Sequence, residues 1–186
     1  MQELTWPMLK AIHDHFMQVA FKICADGRDV TPQVFAIRTN SRGRVVKMVA
    51  VPPELSAQFM SSDTAKDVFS NFLYQTMTAG SPLHEGFKEK LGGELSAVVH
   101  VSEAWMAPQP PSESEFVRPS QSPNREEVIL ITLHTSRGSI PVFHPIVDKP
   151  KRHAVQGKFP QEADMHSFTG RFAVQDSPEV MSARKH

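Results

Sequence analysis

The chain has 186 residues, of which 40% are hydrophobic and 8% aromatic, enough to bury a core of ordinary size. Twenty basic residues balance twenty acidic ones, so the formal net charge is zero. Sequence-independent nucleic-acid binding needs an excess of Lys and Arg, which the whole chain lacks, although a local basic patch stays open. A chain without net charge is also poorly protected against self-association.

Cysteine content and hydropathy restrict the class further. Cys24 is the single cysteine, so neither an intrachain disulfide nor a thiolate zinc cage can form, and its place at the edge of an apolar helix stripe predicts a small core residue. The first residues lack a secretory signal pattern, and no run approaches the roughly 20 apolar residues of a membrane span. We therefore expect a cytoplasmic protein. No cofactor motif is present, and we expect no cofactor.

Two main helices are predicted in the first half of the chain. Apolar residues recur at 3.6-residue spacing over about 5–25, where Thr5 suits the N-cap and Gly27 follows as a stop signal. The same period over about 63–79 predicts the second main helix. Apolar residues four apart add a short helix within 81–93.

Six runs of β-forming residues complete the pattern. The first two flank a short loop that ends in Gly43, which is typical of a β-hairpin. The order α-β-β-α-β-β-β-β predicts an α+β fold: a mainly antiparallel sheet of five to six strands, with the helices packed on one face. Because the run 128–133 is apolar on both faces, we expect it to be central and covered on both sides. The predicted strands are 34–39, 44–51, 95–106, 127–135, 139–147 and 167–174.

Composition also divides the chain into a domain and its connections. Pro- and Ser-rich or polar stretches contribute few core residues, and loops of that length are usually functional or disordered. We expect one α+β domain, a flexible loop, a polar connection with a short basic cluster, and a tail. These are residues 1–147 together with 166–175, then 107–124, 148–165 and 176–186.

The motif His13-Asp14-His15 is the first candidate for metal chemistry. On a helix, residues two apart point about 200° apart around the axis, so His13 and His15 cannot chelate one ion together. A helical histidine pair for one metal needs the spacing i and i+4. We expect both to be boundary residues that flank the apolar stripe.

Three further histidines, His100, His134 and His144, lie in the longest predicted strands. With a carboxylate such as Glu103, neutral imidazoles suit zinc or non-haem iron. A two- or four-residue turn at 137–138 pairs residues whose numbers sum to 273, which puts His134 and His144 on opposite faces. A three-residue loop would bring them together. These histidines are therefore metal candidates only in one register, and are otherwise core or strand-end residues.

The most distinctive composition surrounds Trp105. Strand alternation puts Glu103 and Trp105 on one face, next to a Pro-Ser segment that carries Arg118 and Arg125. Trp and Arg are enriched at binding hot spots, so the four residues form a candidate interaction site. The alternative is a Trp that caps the core beneath the loop.

A short repeated sequence places an Arg in each of two similar turns. The stretch 37–43 resembles 133–138, and each ends in Ser-Arg-Gly between two predicted strands. Arg42 and Arg137 could therefore lie at the tips of two hairpins that face one partner. The alternative is that Ser-Arg-Gly is ordinary turn chemistry used twice.

Three functions remain open on these observations. The favoured hypothesis is a non-enzymatic protein-interaction or oligomerisation protein, which binds a protein partner or itself around Trp105. The second is a metal-assisted hydrolase that uses Glu103 and the strand histidines. The weakest is a nucleic-acid accessory factor that uses Arg42, Arg137 and the basic cluster at 149–153.

Overall fold

The computed structural model describes residues 4–59, 63–107 and 121–162, without the side chains of 63, 64 and 66. The predicted strand 167–174, the tail and most of the loop 107–124 lie outside the described residues. In the described part, no helix is long and apolar enough to cross a bilayer.

The architecture is α+β, with four helices and a six-stranded antiparallel sheet in the order β2-β1-β3-β4-β5-β6. The predicted fold class is confirmed. The helices are α1 (Trp6–Ala25), α2 (Pro53–Phe59), α3 (Asp63–Met77) and α4 (Pro82–Leu91). The strands are β1 (Gln33–Thr39), β2 (Val45–Ala50), β3 (Ala97–Met106), β4 (Glu126–Thr135), β5 (Gly138–Val147) and β6 (His153–Ala154).

The central position of β4 follows from its sequence. Residues 128–133 are apolar or uncharged at every position, and all of them are buried. A strand of that kind is stable only where both of its faces are covered. β4 accordingly pairs with β3 on one side and with β5 on the other. The predicted burial of this run on both sides is confirmed.

The helices pack on both faces of the sheet, and the expectation of one covered face is wrong. Alternation along β3 sends Val99 and Val101 toward α1, in one apolar cluster. It sends Val98 into a second cluster with Phe69 and Leu73 of α3. Because β3 and β4 bury odd- and even-numbered positions alike, each face needs its own helical cover. The face covered by α1 is called the α1 face, and the other the α3 face.

Two elements were missed by the sequence analysis. Helix α2 begins at Pro53, immediately after the second strand, where its first position tolerates proline. The second is β6, which pairs with the end of β5. Part of the expected polar connection, 148–165, is therefore structured, and Ala154, Gly157 and Phe159 contact the α1 face. The polar composition of this segment gave no strand signal, although backbone hydrogen bonds pair it with β5.

Candidate functional site

A groove lies at one end of the sheet, where β3 ends and β4 begins. The Trp105 side chain is 43% exposed there, and the Arg125 guanidinium stacks 4.4 Å from the centre of its ring. Such cation–π contacts contribute about 0.5–1 kcal/mol at exposed sites. The groove has a volume of about 640 Å³ and is lined by Trp105, Arg125, Glu126, Glu127 and residues 145–149. We call it the Trp105 groove.

An ion-pair network next to Trp105 ties the segment after β5 to the sheet. Arg152 contacts the carboxylates of Glu103, Glu127 and Asp148, at 3.1, 3.2 and 3.5 Å. Glu103 also accepts a hydrogen bond of 2.8 Å from the backbone N–H of Val30. Burial alone would lower the pKa of Arg152, but the hydrogen bonds and charges of Glu127 and Glu103 outweigh burial and raise it. Both carboxylate oxygens of Glu103 therefore have partners within the protein, Val30 and Arg152.

Cys24, at the end of α1, lies within the electrostatic reach of this network. It is fully buried. Burial raises the pKa of its thiol, and the opposing effect of the Arg152 charge does not reverse the shift. A nucleophilic cysteine needs a lowered pKa and access to substrate. Cys24 has neither and fills the core.

The remaining interaction candidates are distributed as follows. Trp105 and Arg125 meet in the groove, and Glu103 lies on the Trp105 side of β3, within the Arg152 network. Arg118 lies outside the described residues. Arg42 and Arg137 lie at the opposite end of the sheet, because their turns follow β1 and β4, which run parallel to each other.

At that end, the first hairpin packs tightly on α1. A Cβ built on Gly43 would lie 2.3 Å from the Cγ of Met8, and Gly43 has a φ of +75°, so only glycine fits. Arg42 is exposed at the tip, while Arg137 forms an ion pair with Glu162 at 2.7 Å. The basic cluster at 149–153 follows β5, at the groove end. The three parts proposed for nucleic-acid binding therefore do not form one surface.

The strand histidines fall on different faces. β4 pairs with β5 so that His134 is opposite Ser139, the register in which paired numbers sum to 273. His144 consequently lies on the α1 face, while His100 and His134 lie on the α3 face. The three cannot ligate one ion, and the described residues contain no group of three or more His, Cys, Asp or Glu side chains placed to hold a metal.

All three strand histidines are buried, and burial lowers the pKa of each imidazole. The pKa of His100 is about 4, that of His134 about 3, and that of His144 about 4. The charge of His100 adds to the effect at His134, and the charge of His13 adds to the effect at His144. A general base is most effective with a pKa near the working pH. These histidines are neutral core residues at pH 7.

A hydrogen-bond relay on the α1 face connects His144 to His13, which is buried rather than a boundary residue as expected. The two Nε2 atoms are 3.1 Å apart, and the ring planes are inclined to each other by 24°. At its ends, the Gly157 N–H lies 2.9 Å from His144 Nδ1, and Asp14 Oδ1 lies 3.1 Å from His13 Nδ1. Lys10 in turn pairs with Asp14 at 2.5 Å.

The relay has one direction. A backbone N–H can only donate, so His144 Nδ1 accepts from Gly157 and neutral His144 carries its proton on Nε2. That proton is donated to His13 Nε2, which leaves the His13 proton on Nδ1, facing Asp14. A metal on His144 Nε2 would require a proton on Nδ1, where the Gly157 N–H already points. The pair is therefore a structural link between α1, β5 and the segment after β6.

The sequence held a partial signal for this relay. His13 is one residue from Ile12 in the apolar stripe of α1, and its neighbour Asp14 is a suitable acceptor. The signal did not identify His144 as the partner, 131 residues away, or Gly157 as the donor. No family model, no curated protein and no solved structure matches this chain.

Proposed function

We propose that the protein is a non-enzymatic binding protein that holds an extended segment of a partner protein in the Trp105 groove. The observation that carries the proposal is the exposed indole of Trp105, 43% accessible although its backbone is paired within the sheet. An exposed Trp on a rigid strand supplies apolar contact area without a large entropic cost of ordering.

The composition of the groove supports an apolar contact as the main source of affinity. Its walls include Pro145, Ile146 and Val147, and Val147 is 38% exposed. The charged lining has Arg125 and Lys149 against Glu126, Glu127 and Asp148, and it is balanced once Arg152, which contacts Glu127 and Asp148, is counted. Balanced charges orient a partner and contribute little affinity on their own. A partner side chain that rests on the indole would form the centre of the interface.

Replacement of Trp105 tests the proposal. Because the indole is half exposed, we expect Trp105→Ala to cost about 1 kcal/mol of folding stability, well below the roughly 3–5 kcal/mol of a core Trp. Partner affinity should fall about 30-fold or more, which corresponds to a hot-spot loss of roughly 2 kcal/mol. Urea unfolding and quantitative pull-down measure the two effects.

Tyr74→Ala provides the matched control, since Tyr74 is an aromatic residue of similar exposure, 45%, on helix α3. It should retain partner capture. Photo-crosslinking gives a second readout: a crosslinker placed at Val147 should trap the partner that wild-type protein captures, and one at the exposed Val68 of α3 should not. If Trp105→Ala captures partners as wild type does, the proposal is wrong.

A further inference from the structure

The two edges of the sheet differ in how they are protected against strand pairing. β5 carries Pro141 and Pro145, and residues after β6 lie so close to it that a Cβ on Gly157 would be 1.8 Å from the Phe143 carbonyl oxygen. Prolines and covering segments are devices that prevent edge-to-edge association. β2 contains no proline, and within the described residues only β1 is paired with it.

The edge of β2 that faces away from β1 presents hydrogen-bonding groups at known positions. Val51 donates its N–H to the carbonyl of Val34 at 2.8 Å, so the groups of Val51, Val49 and Lys47 point toward β1. Alternation turns the N–H and C=O groups of Met48 and Ala50 outward. Met48 also exposes 46% of its side chain, which is high for a large apolar residue in a strand.

We propose that β2 pairs with β2 of a second copy of the chain, antiparallel, about a twofold axis at Val49. In this register Met48 lies opposite Ala50 of the partner subunit, so both outward residues of each copy exchange both hydrogen bonds. The two six-stranded sheets become one. The apolar side chains of Met48 then lie on one face of the joined sheet, beside the partner's Ala50.

The charges of β2 favour a second copy in this register. Lys47 is the one charged residue of β2, and it falls opposite Val51 of the partner subunit. The two lysines are then four residues apart along the strand direction, about 14 Å, which exceeds the screening length of roughly 10 Å in 0.1 M salt. The chain has no net charge, so no long-range repulsion opposes the approach of two copies.

The interface is small, so we expect a weak dimer that dissociates on dilution. Sedimentation velocity of the full chain over a range of concentrations should show a monomer–dimer equilibrium. Met48→Lys puts two ammonium groups close to the axis and should weaken the dimer at least tenfold. Val68→Lys is the control, because Val68 lies on α3 and is more exposed than Met48. It should leave dimerisation unchanged. A chain that stays monomeric at every concentration overturns the proposal.

Cross-linking tests the register. Opposite residues of a non-hydrogen-bonded pair have Cα atoms about 4.5 Å apart, within the range that a disulfide spans. Val49→Cys should therefore form an intermolecular disulfide under mild oxidation, while Val68→Cys should not. The native Cys24 is buried and does not compete. If Val49→Cys remains a monomer while Met48→Lys weakens the dimer, the twofold axis at Val49 is wrong.

Hydrogen exchange and the groove variant separate this proposal from the proposed function. The amides of Met48 and Ala50 should gain protection as concentration rises. Protection already complete in the dilute monomer would show that another part of the same chain covers the edge, and would overturn the proposal. Trp105→Ala should dimerise as wild type does. Loss of the dimer in that variant would instead assign self-association to the Trp105 groove.

Discussion

The two faces of the sheet bury histidines in different ways. On the α1 face, each nitrogen of His13 and His144 has a hydrogen-bond partner, from Asp14 to the Gly157 N–H. On the α3 face, His134 Nδ1 lies 2.8 Å from the Ser139 hydroxyl, while His134 Nε2 is buried without a hydrogen-bond partner among the described residues. Histidines therefore connect secondary-structure elements by hydrogen bonds on the α1 face. On the α3 face, the buried Nε2 of His134 loses its hydration without a hydrogen bond in return from the described residues.

This difference concerns hydrogen bonding and not charge. Burial lowers the pKa of His13 and His144 on the α1 face and of His100 and His134 on the α3 face, because a buried imidazolium loses its hydration. Among these four histidines and within the described residues, only His13 contacts a carboxylate directly, and the hydrogen bond and charge of Asp14 do not outweigh burial. Both faces should thus respond to acid in the same direction, while mutations should separate them.

The largest expected effect is a loss of stability in acid. The pKa values of His100 and His144 are about 4 in the folded chain, against 6.5 for a free histidine. Between these values the unfolded chain binds protons that the folded chain does not, so stability falls as the pH drops from about 6.5 to 4. At 1.36 kcal/mol per unit, each of these histidines contributes up to roughly 3 kcal/mol.

Urea unfolding at a series of pH values measures this loss. We expect constant stability from pH 7 to 8, and a steady decline below about 6.5. The proton uptake on unfolding at pH 5, from the pH slope, should approach one proton for each of His100, His134 and His144. A flat profile between pH 6.5 and 4.5 would show that the imidazoles are hydrated and that the burial described for both faces is wrong.

The second effect tests whether both faces are covered. Ile131 is fully buried on the α1 face, and Leu130 is 9% exposed on the α3 face. Ile131→Asp should cost about 4 kcal/mol or more, because it buries a charge without a partner. Leu130→Asp should cost somewhat less, since its carboxylate is nearer to solvent. Circular dichroism melts compare the two variants, and full tolerance of Leu130→Asp would restore the idea of one covered face.

The sequence predicted the fold class correctly, but it did not predict that helices pack on both faces of the sheet. Period-two and 3.6-residue patterns located α1, α3 and five strands, because each of these elements has a local apolar signature. The apolar run 128–133 already indicated cover on both sides, and that observation was the correct guide to the two helical layers. The position of α1 on one face and α3 on the other depends on contacts between distant residues, which local patterns do not record.

The candidate site was predictable only in part, for similar reasons. The proximity of Arg125 to Trp105 follows from a loop that returns to the same strand end. Arg152 was grouped with the short basic cluster of the polar connection, because nothing in the local sequence marks it as a partner of distant carboxylates. Its pairing with Glu103 and Glu127 depends on β6 returning the chain to β5. The two-residue length of β6 left no periodic signal.

The smallest effects come from replacing one histidine on each face with leucine, which has a similar volume. His144→Leu leaves His13 Nε2 and the Gly157 N–H without their hydrogen bonds. An unsatisfied buried polar group costs about 1–3 kcal/mol, so we expect a loss of about 2–3 kcal/mol at pH 7.5. His134→Leu removes one hydrogen bond and also a buried nitrogen that has no such bond, so its net effect should be below about 1 kcal/mol.

A glutamine variant distinguishes directed hydrogen bonding from packing in this last comparison. Glutamine offers an NH2 group as a donor and a carbonyl oxygen as an acceptor, so it can take both roles that His144 has toward His13 and Gly157. His144→Gln should therefore recover part of the stability lost in His144→Leu, and urea unfolding at pH 7.5 measures all three variants side by side. Equal losses in His144→Leu and His134→Leu, with no recovery in His144→Gln, would mean that the histidines of both faces act by volume alone. The relay would then be a contact without energetic consequence, and the difference between the faces would disappear.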